Sequence, residues 1–166
     1  MALEQEIIKA LGFLPPWLTT TIIAMLPIVE LRGSIPIAIG YFGIGPVDSF
    51  ILSVVGNMIP VPFILWLLGP VERLIRRTGL FERTFDRISA SAIKRTSRSI
   101  EAYKFLGLSI FVAIPLPVTG AWTASLVAYI MRMNRKNAIA SIFLGVLVAG
   151  IIVTLASLGI ISVWGI

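Results

Sequence analysis

The chain has 166 residues, 57% of them hydrophobic and only 13% charged, against about 45–50% apolar and about 25% charged in a typical soluble domain. A protein this small has too much surface per volume to bury the excess, so lipid must replace water over much of it and a soluble fold is excluded. With no His and no Cys, Ser-His-Asp and Cys-His nucleophiles, thiolate metal sites and disulfides are excluded too. Neither enzymatic activity nor a cofactor is expected. The net charge of +6 would suit nucleic acid, but the basic residues lie between apolar segments, so no nucleic-acid partner is expected.

Residues 2–14 alternate apolar and polar positions at helical spacing, with Leu3, Ile7, Ile8 and Leu11 on one side. They read as a short interfacial helix ended by Pro15-Pro16. Glu4 and Glu6 precede Lys9, and the two prolines interrupt the apolar run, so this is not expected to be a cleaved signal. Residues 17–44 form an apolar stretch broken by Pro27, Glu30, Arg32, Gly33 and Pro36. About a dozen apolar residues lie on each side of the break. Each half therefore reaches about 18–20 Å, short of the hydrocarbon core.

Residues 48–68 read as a spanning helix, with Asp48 as N-cap, a polar stripe at Ser49, Ser53 and Asn57, and a kink at Pro60 and Pro62. Residues 71–104 hold 9 of the 14 basic residues. Phe81, Phe85, Ile88 and Ala92 share one helical face, and Arg83, Arg87, Lys94 and Arg98 share the opposite one. This predicts a basic amphipathic linker helix on the membrane surface; a solvated linker is the plainer alternative. Residues 105–131 form a second broken apolar stretch, interrupted by Pro115, Pro117, Thr119 and Gly120. After Arg132, Arg135 and Lys136, Asn137 is expected to cap a final helix running to about Leu158. Ser141, Gly145 and Ala149 give that helix a stripe of small residues, suited to close packing within the chain or against a second copy. A homodimer is expected on that ground.

The two halves resemble each other: a broken stretch, a short polar turn, then one clean helix. Gly33 answers Gly120 at an offset of 87, while Asp48 answers Asn137 and Gly56 answers Gly145 at 89. Charge decides the topology. If each broken stretch crossed fully, the linker and the 132–136 patch would face opposite sides, against the positive-inside bias. If each is re-entrant, both share the cytoplasmic face, and Lys9 is the lone basic residue on the other. One crossing then separates the hairpins, so the second repeat is inverted. The expected fold is all-α and multi-pass: an inverted repeat of re-entrant hairpin plus transmembrane helix. It forms one domain over residues 1–166, with repeats at about 17–70 and 105–158 joined by the linker. Broken helices in inverted repeats are a transporter architecture.

Glu30 and Arg32 are the ionisable residues inside the apolar stretches, and a charge at that depth is a functional candidate by default. Arg32 is suited to an anionic group and Glu30 to a proton; the alternative is a structural ion pair. Gly33 and Ser34 are expected to precede one half-helix, and Gly120, after Thr119, the other. Such N-termini offer N–H groups and partial positive charge to a ligand, although glycines there also simply permit turns. Trp122 suits packing better than substrate contact. Asn57 is balanced between bonding a hairpin and bonding a ligand.

The run Pro27-Ile28-Val29-Glu30-Leu31-Arg32-Gly33-Ser34-Ile35-Pro36 resembles the small multidrug export family of prokaryotic membrane proteins. So do Gly56-Asn57-Met58-Ile59-Pro60-Val61-Pro62-Phe63 and Ala113-Ile114-Pro115-Leu116-Pro117 with Thr119-Gly120-Ala121-Trp122. The likeness covers about residues 20–158. Val118 and Ser125 stand where the family usually has Gly. That family is similar in turn to the DedA/VTT superfamily, which implies paired re-entrant hairpins and lipid translocation, including of polyprenyl phosphates. DedA members tend to carry Arg in the second hairpin, and this chain has none there. The resemblance implies a transporter of amphiphilic molecules, either drugs or phosphate-headed lipids; Glu30 adds the expectation of coupling to a proton gradient, with a sodium gradient as the alternative, and the apolar stretches and basic face that of a plasma-membrane protein among membrane lipids. The alternative from another class is a non-transporting membrane scaffold or assembly factor.

Overall fold

A computed structural model describes residues 14–76, 98–116 and 119–164. The interfacial helix expected over 2–14, the middle of the linker, and Pro117 and Val118 lie outside the described residues. Within them are seven helices and no strand: α1 Pro16–Met25, α2 Glu30–Gly40, α3 Pro46–Met58, α4 Pro60–Arg76, α5 Arg98–Ala113, α6 Ala121–Ile130 and α7 Arg135–Trp164. Two continuous apolar spans are long enough to cross a bilayer, Pro46–Leu74 at 29 residues and Arg135–Gly159 at 25, with mean hydropathies of 2.1 and 2.7.

The distribution of side chains is that of a membrane protein. Large apolar residues face outward, among them Phe63 and Val47 at 68% and 70% exposure, with Trp66, Ile110, Ile151 and Leu155. The buried positions include Thr19, Thr20, Ser34, Ser49, Ser53, Ser109, Ser125 and Ser141. Water would penalise so much contiguous apolar surface, whereas lipid accepts it and leaves small residues to bring helices together. Hydroxyls at membrane depth need partners, and many find them one turn back. Thr20 and Thr21 donate to the Pro16 and Trp17 carbonyls, each at 2.9 Å. Ser125 donates to Ala121 at 2.7 Å.

The chain divides into two compact units, the described residues up to Ile59 together with those from Val146, and Pro60–Gly145. In the first, Pro16 starts α1, since a first-turn proline forfeits no intrahelical bond. Pro27 ends α1 by pushing Leu26 into extended backbone (φ −73°, ψ 133°). The chain turns over residues 26–29 and enters α2 at Glu30. Pro46 opens α3 with Gly45 as N-cap, so Asp48 stands in the first turn and is not the cap expected from sequence. α1, α2 and α3 pack on one another. A β-carbon on Gly56 of α3 would lie 2.3 Å from the Thr21 carbonyl oxygen and 2.8 Å from the Ala24 β-carbon. In the same unit, a β-carbon on Gly150 of α7 would lie 2.7 Å from the Phe50 ring.

The second unit contains α4, α5, α6 and the start of α7. Residues 71–76 and 98–104, expected in the linker, belong instead to α4 and α5, because their helical spacing runs unbroken into the apolar segments. Asn134, not Asn137, caps α7: its Oδ1 accepts the Lys136 N–H at 3.0 Å. The helix continues past Leu158 to Trp164. Gly145 packs on α5 as Gly56 packs on α1, with a β-carbon placed 2.6 Å from the Ser109 carbonyl oxygen and 2.5 Å from Val112 Cβ. Ser141 donates to the Phe105 carbonyl at 2.7 Å and lies 3.0 Å from the Ser109 hydroxyl. The Ser141–Gly145 part of the small-residue stripe thus packs within the chain, one of the two uses expected of it.

The end of each hairpin's second helix also recurs. After α2 the chain turns through Gly43 at φ 65°; after α6 it turns through Arg132 at φ 49°. Gly43 is suited to this left-handed conformation, while Arg132 holds it at a cost of roughly 1–2 kcal/mol.

Close helix packing gives a direct test. Gly56→Ala and Gly145→Ala force a methyl group against backbone, and each should destabilise by about 1–3 kcal/mol. Gly69→Ala in α4, with nothing within 4 Å of the added carbon, should be neutral or stabilising by up to about 1 kcal/mol. Melting temperatures in one detergent decide it; equal shifts for all three would remove the packing account.

Candidate functional site

The break in the first hairpin holds Glu30 in an unusual backbone conformation. Its φ is 51°, left-handed for a residue with a side chain, and it is 5% exposed. Turn hydrogen bonds fix it there: the Glu30 N–H donates to the Leu26 carbonyl at 3.0 Å, and the Gly33 N–H to Val29 at 3.1 Å. A strained residue held by its surroundings is characteristic of functional sites. Arg32, half-buried, lies two positions on. Both residues take part in further interactions, as does Trp122.

Gly33 and Ser34 lie inside α2, not ahead of it as the sequence suggests, because the helix starts at Glu30. The Gly33 N–H is committed to the helix and is not available to a ligand. Its lack of a side chain serves packing, since a β-carbon would meet Val29 Cγ1 at 2.3 Å. Ser34 points into α3, where its hydroxyl bonds that of Ser53 at 2.7 Å with both residues fully buried.

This bond fixes the register of an antiparallel helix pair. One turn deeper from it, toward the break, come Glu30 on α2 and Asn57 on α3, both four residues away and both buried. One turn the other way come Ala38 and Ser49, also buried. The result is a polar seam running from the turn to the break. At its deep end, the Asn57 Oδ1 atom is buried without a hydrogen-bond partner. A buried amide oxygen costs free energy until a donor reaches it. Ser49 and Ser53 are the polar members of this seam that sequence reasoning left out of the site. Their signal was present in the Ser49, Ser53, Asn57 spacing, but not the partner of Ser53.

The break in the second hairpin is built differently. Thr119 closes it: its hydroxyl lies 2.7 Å and 2.8 Å from the Ile114 and Leu116 carbonyl oxygens, and its N–H donates to Leu116 at 3.2 Å. Gly120 stands as expected ahead of the helix, as the N-cap of α6 in extended backbone, and is buried. Trp122 is half-buried in the first turn of α6. Glu30, Arg32, Ser34 and Asn57 therefore share the first unit, and Thr119, Gly120 and Trp122 the second. Among the described residues no group of three or more His, Cys, Asp or Glu could hold a metal ion.

A family model described as "Putative small multi-drug export protein" matches residues 30–152, from the first hairpin's break into α7. No curated protein and no solved structure matches the chain.

Proposed function

The chain belongs to the small multi-drug export protein family, and on that premise we propose that it is a proton-coupled membrane transporter of amphiphilic molecules working through Glu30 and Arg32. The observation that supports this reading is that Glu30, buried and backbone-strained, and Asn57, whose buried amide oxygen accepts no hydrogen bond, each lie four residues from the Ser34–Ser53 bond on the side of the break. Protonated Glu30 can donate to Asn57 Oδ1; deprotonated Glu30 can turn its charge on Arg32.

Charge balance links the proton to the ligand. With Glu30 ionised, the Glu30 and Arg32 charges cancel. With Glu30 protonated, Arg32 stands as a net cation, and an anionic head group restores neutrality. Both neutral combinations are tolerable at membrane depth, where an uncompensated charge is costly. A cationic ligand would leave one excess charge with Glu30 ionised and two with it protonated. The favoured substrate is therefore an amphiphile with a phosphate or carboxylate head, carried with a proton.

The proposed architecture is a pair of re-entrant hairpins in inverted repeat, with the basic linker on the cytoplasmic face of the plasma membrane. Three observations support it. α1, α2 and α6 have 10, 11 and 10 residues, about 15–17 Å each, half of a bilayer core. The glycine contacts of Gly56 and Gly145 repeat, as do the left-handed turns at Gly43 and Arg132. Each unit also combines one hairpin, the first part of the helix after it and the second part of the other long span. The topology is tested with single cysteines. Gly45→Cys should react with an impermeant maleimide from outside and Asn134→Cys from the cytoplasm. Reaction of both from one side means that the broken stretches cross fully.

The function itself is tested by flux in proteoliposomes carrying an imposed pH gradient. A panel of anionic and cationic amphiphilic dyes with polyprenyl phosphate is the substrate set. Gradient-dependent movement of anionic members is expected. Movement of none marks a scaffold, and movement of cationic members alone overturns the charge argument.

A further inference from the structure

The second unit carries a cavity that the proposed transport site does not use. It has a volume of about 230 Å³, far above the roughly 10–15 Å³ that one water needs, and is lined by Leu65, Glu72, Tyr129, Arg132, Met133 and Arg135. The acid in this set is already engaged, since the Tyr129 hydroxyl donates to the Glu72 carboxylate. The Arg132 and Arg135 side chains are exposed, and neither makes a hydrogen bond or ion pair with a described residue. Among the described residues, two guanidinium groups against one carboxylate leave the lining with one net positive charge. Leu65 and Met133 close the floor with apolar surface, at 4% and 8% exposure.

We propose that this cavity holds the phosphate group of an anionic membrane lipid. Three features select that ligand class. A guanidinium presents a planar fork of donors that fits phosphate oxygens two at a time. The apolar floor beside the two arginines suits the ester-linked part of a lipid, which a free phosphate lacks. A tyrosine at the margin matches the headgroup level of a bilayer, where aromatic rings with a polar tip concentrate.

Arg132 adds an independent observation. It occupies the left-handed position that glycine fills at the matching turn of the first unit, φ 49° against φ 65° at Gly43. Glycine would satisfy the backbone better, so retaining arginine there is explained by its side chain, and the cavity is where that side chain is found. The lipid is held, not carried. The site has no part in the Glu30 and Arg32 chemistry, and its test stands apart from the transport reading.

The test uses the purified full chain in nanodiscs of neutral phosphatidylcholine, with phosphatidylglycerol added in steps and the melting temperature read at each. The wild type should melt higher as phosphatidylglycerol is added. Arg132→Gly should melt at or above the wild type in neutral lipid, because its backbone strain is gone, yet need at least a tenfold higher phosphatidylglycerol fraction for the same upward shift. Arg135→Gln should weaken the response in the same direction and keeps the test open if the glycine variant does not fold. Lys136→Gln removes an exposed charge that does not line the cavity and should leave the response unchanged. An undiminished response in both arginine variants overturns the site. An equal loss in Lys136→Gln reduces it to general surface charge and also overturns it. A matching shift from inorganic phosphate in neutral nanodiscs overturns the lipid assignment.

Discussion

Glu30→Gln should leave the protein folded and remove the pH dependence of its transport. Glutamine keeps the length of the side chain and supplies a permanent N–H donor, which can serve the unpartnered Asn57 Oδ1 as protonated Glu30 would. The site is then fixed in its protonated form. Flux down a substrate gradient can persist, but a pH gradient should no longer drive it in either direction. If Glu30 serves only to pair Arg32, a different result follows. Removing one partner of a buried pair strands the other charge and costs about 3–5 kcal/mol, so the variant would melt far lower at every pH. Glu30→Gly sharpens the comparison, because it also releases the left-handed strain at φ 51°, worth of order 1–3 kcal/mol. A Glu30→Gly protein with wild-type stability and full pH-driven flux would sink the proton role.

The two breaks are legible in the sequence because Pro27 and Gly120 mark where a helix stops or starts, although Gly33 and Pro36, expected within the first break, lie inside α2. Pro27 with the charged pair shows the first break, and Pro115 with Gly120 the second. The correspondence of Gly56 with Gly145 is also visible in the one-dimensional order, and the structure gives both the same task against a preceding helix. Helix boundaries are less legible. Asp48 looks like a cap, but Pro46 is already in the helix and places Asp48 in the first turn. Asn137 looks like a cap for the same reason, while Asn134 does the capping. Each expected cap lies three residues past the observed one.

The pairing of Ser34 with Ser53 is not legible, since spacing reports one helix face but not the register against another helix. Once that register is known, Glu30 and Asn57 fall on one level and the site gains its chemistry. Arg132 is hidden for a different cause. Sequence signals left-handed backbone through glycine, and an arginine in that conformation carries no such mark. Its equivalence with Gly43 emerges only from the backbone angles.

Arg32→Gln should have the larger effect on stability, and its reversal identifies the pair. With Glu30 ionised and its guanidinium partner gone, a carboxylate is left at depth, and the expected destabilisation is about 3–5 kcal/mol at pH 8. The loss should shrink as the pH falls and Glu30 takes up a proton, because the neutral acid no longer needs a cation beside it. Adding Glu30→Gln to Arg32→Gln should restore most of the stability without restoring transport. Arg32→Lys separates charge from shape. The ammonium still balances Glu30, so the fold and the pH dependence should survive. A compact point charge cannot match two phosphate oxygens as the guanidinium fork does, so the substrate concentration at half-maximal flux should rise about tenfold for phosphate-headed amphiphiles, equivalent to about 1.4 kcal/mol of binding. Cationic dyes should be unaffected by this change. Melting temperature and flux, measured on the same three proteins across pH 5 to 8, decide the matter. An Arg32→Lys protein that moves phosphate-headed and cationic amphiphiles with unaltered half-saturation removes Arg32 from substrate recognition and leaves it only the task of balancing Glu30.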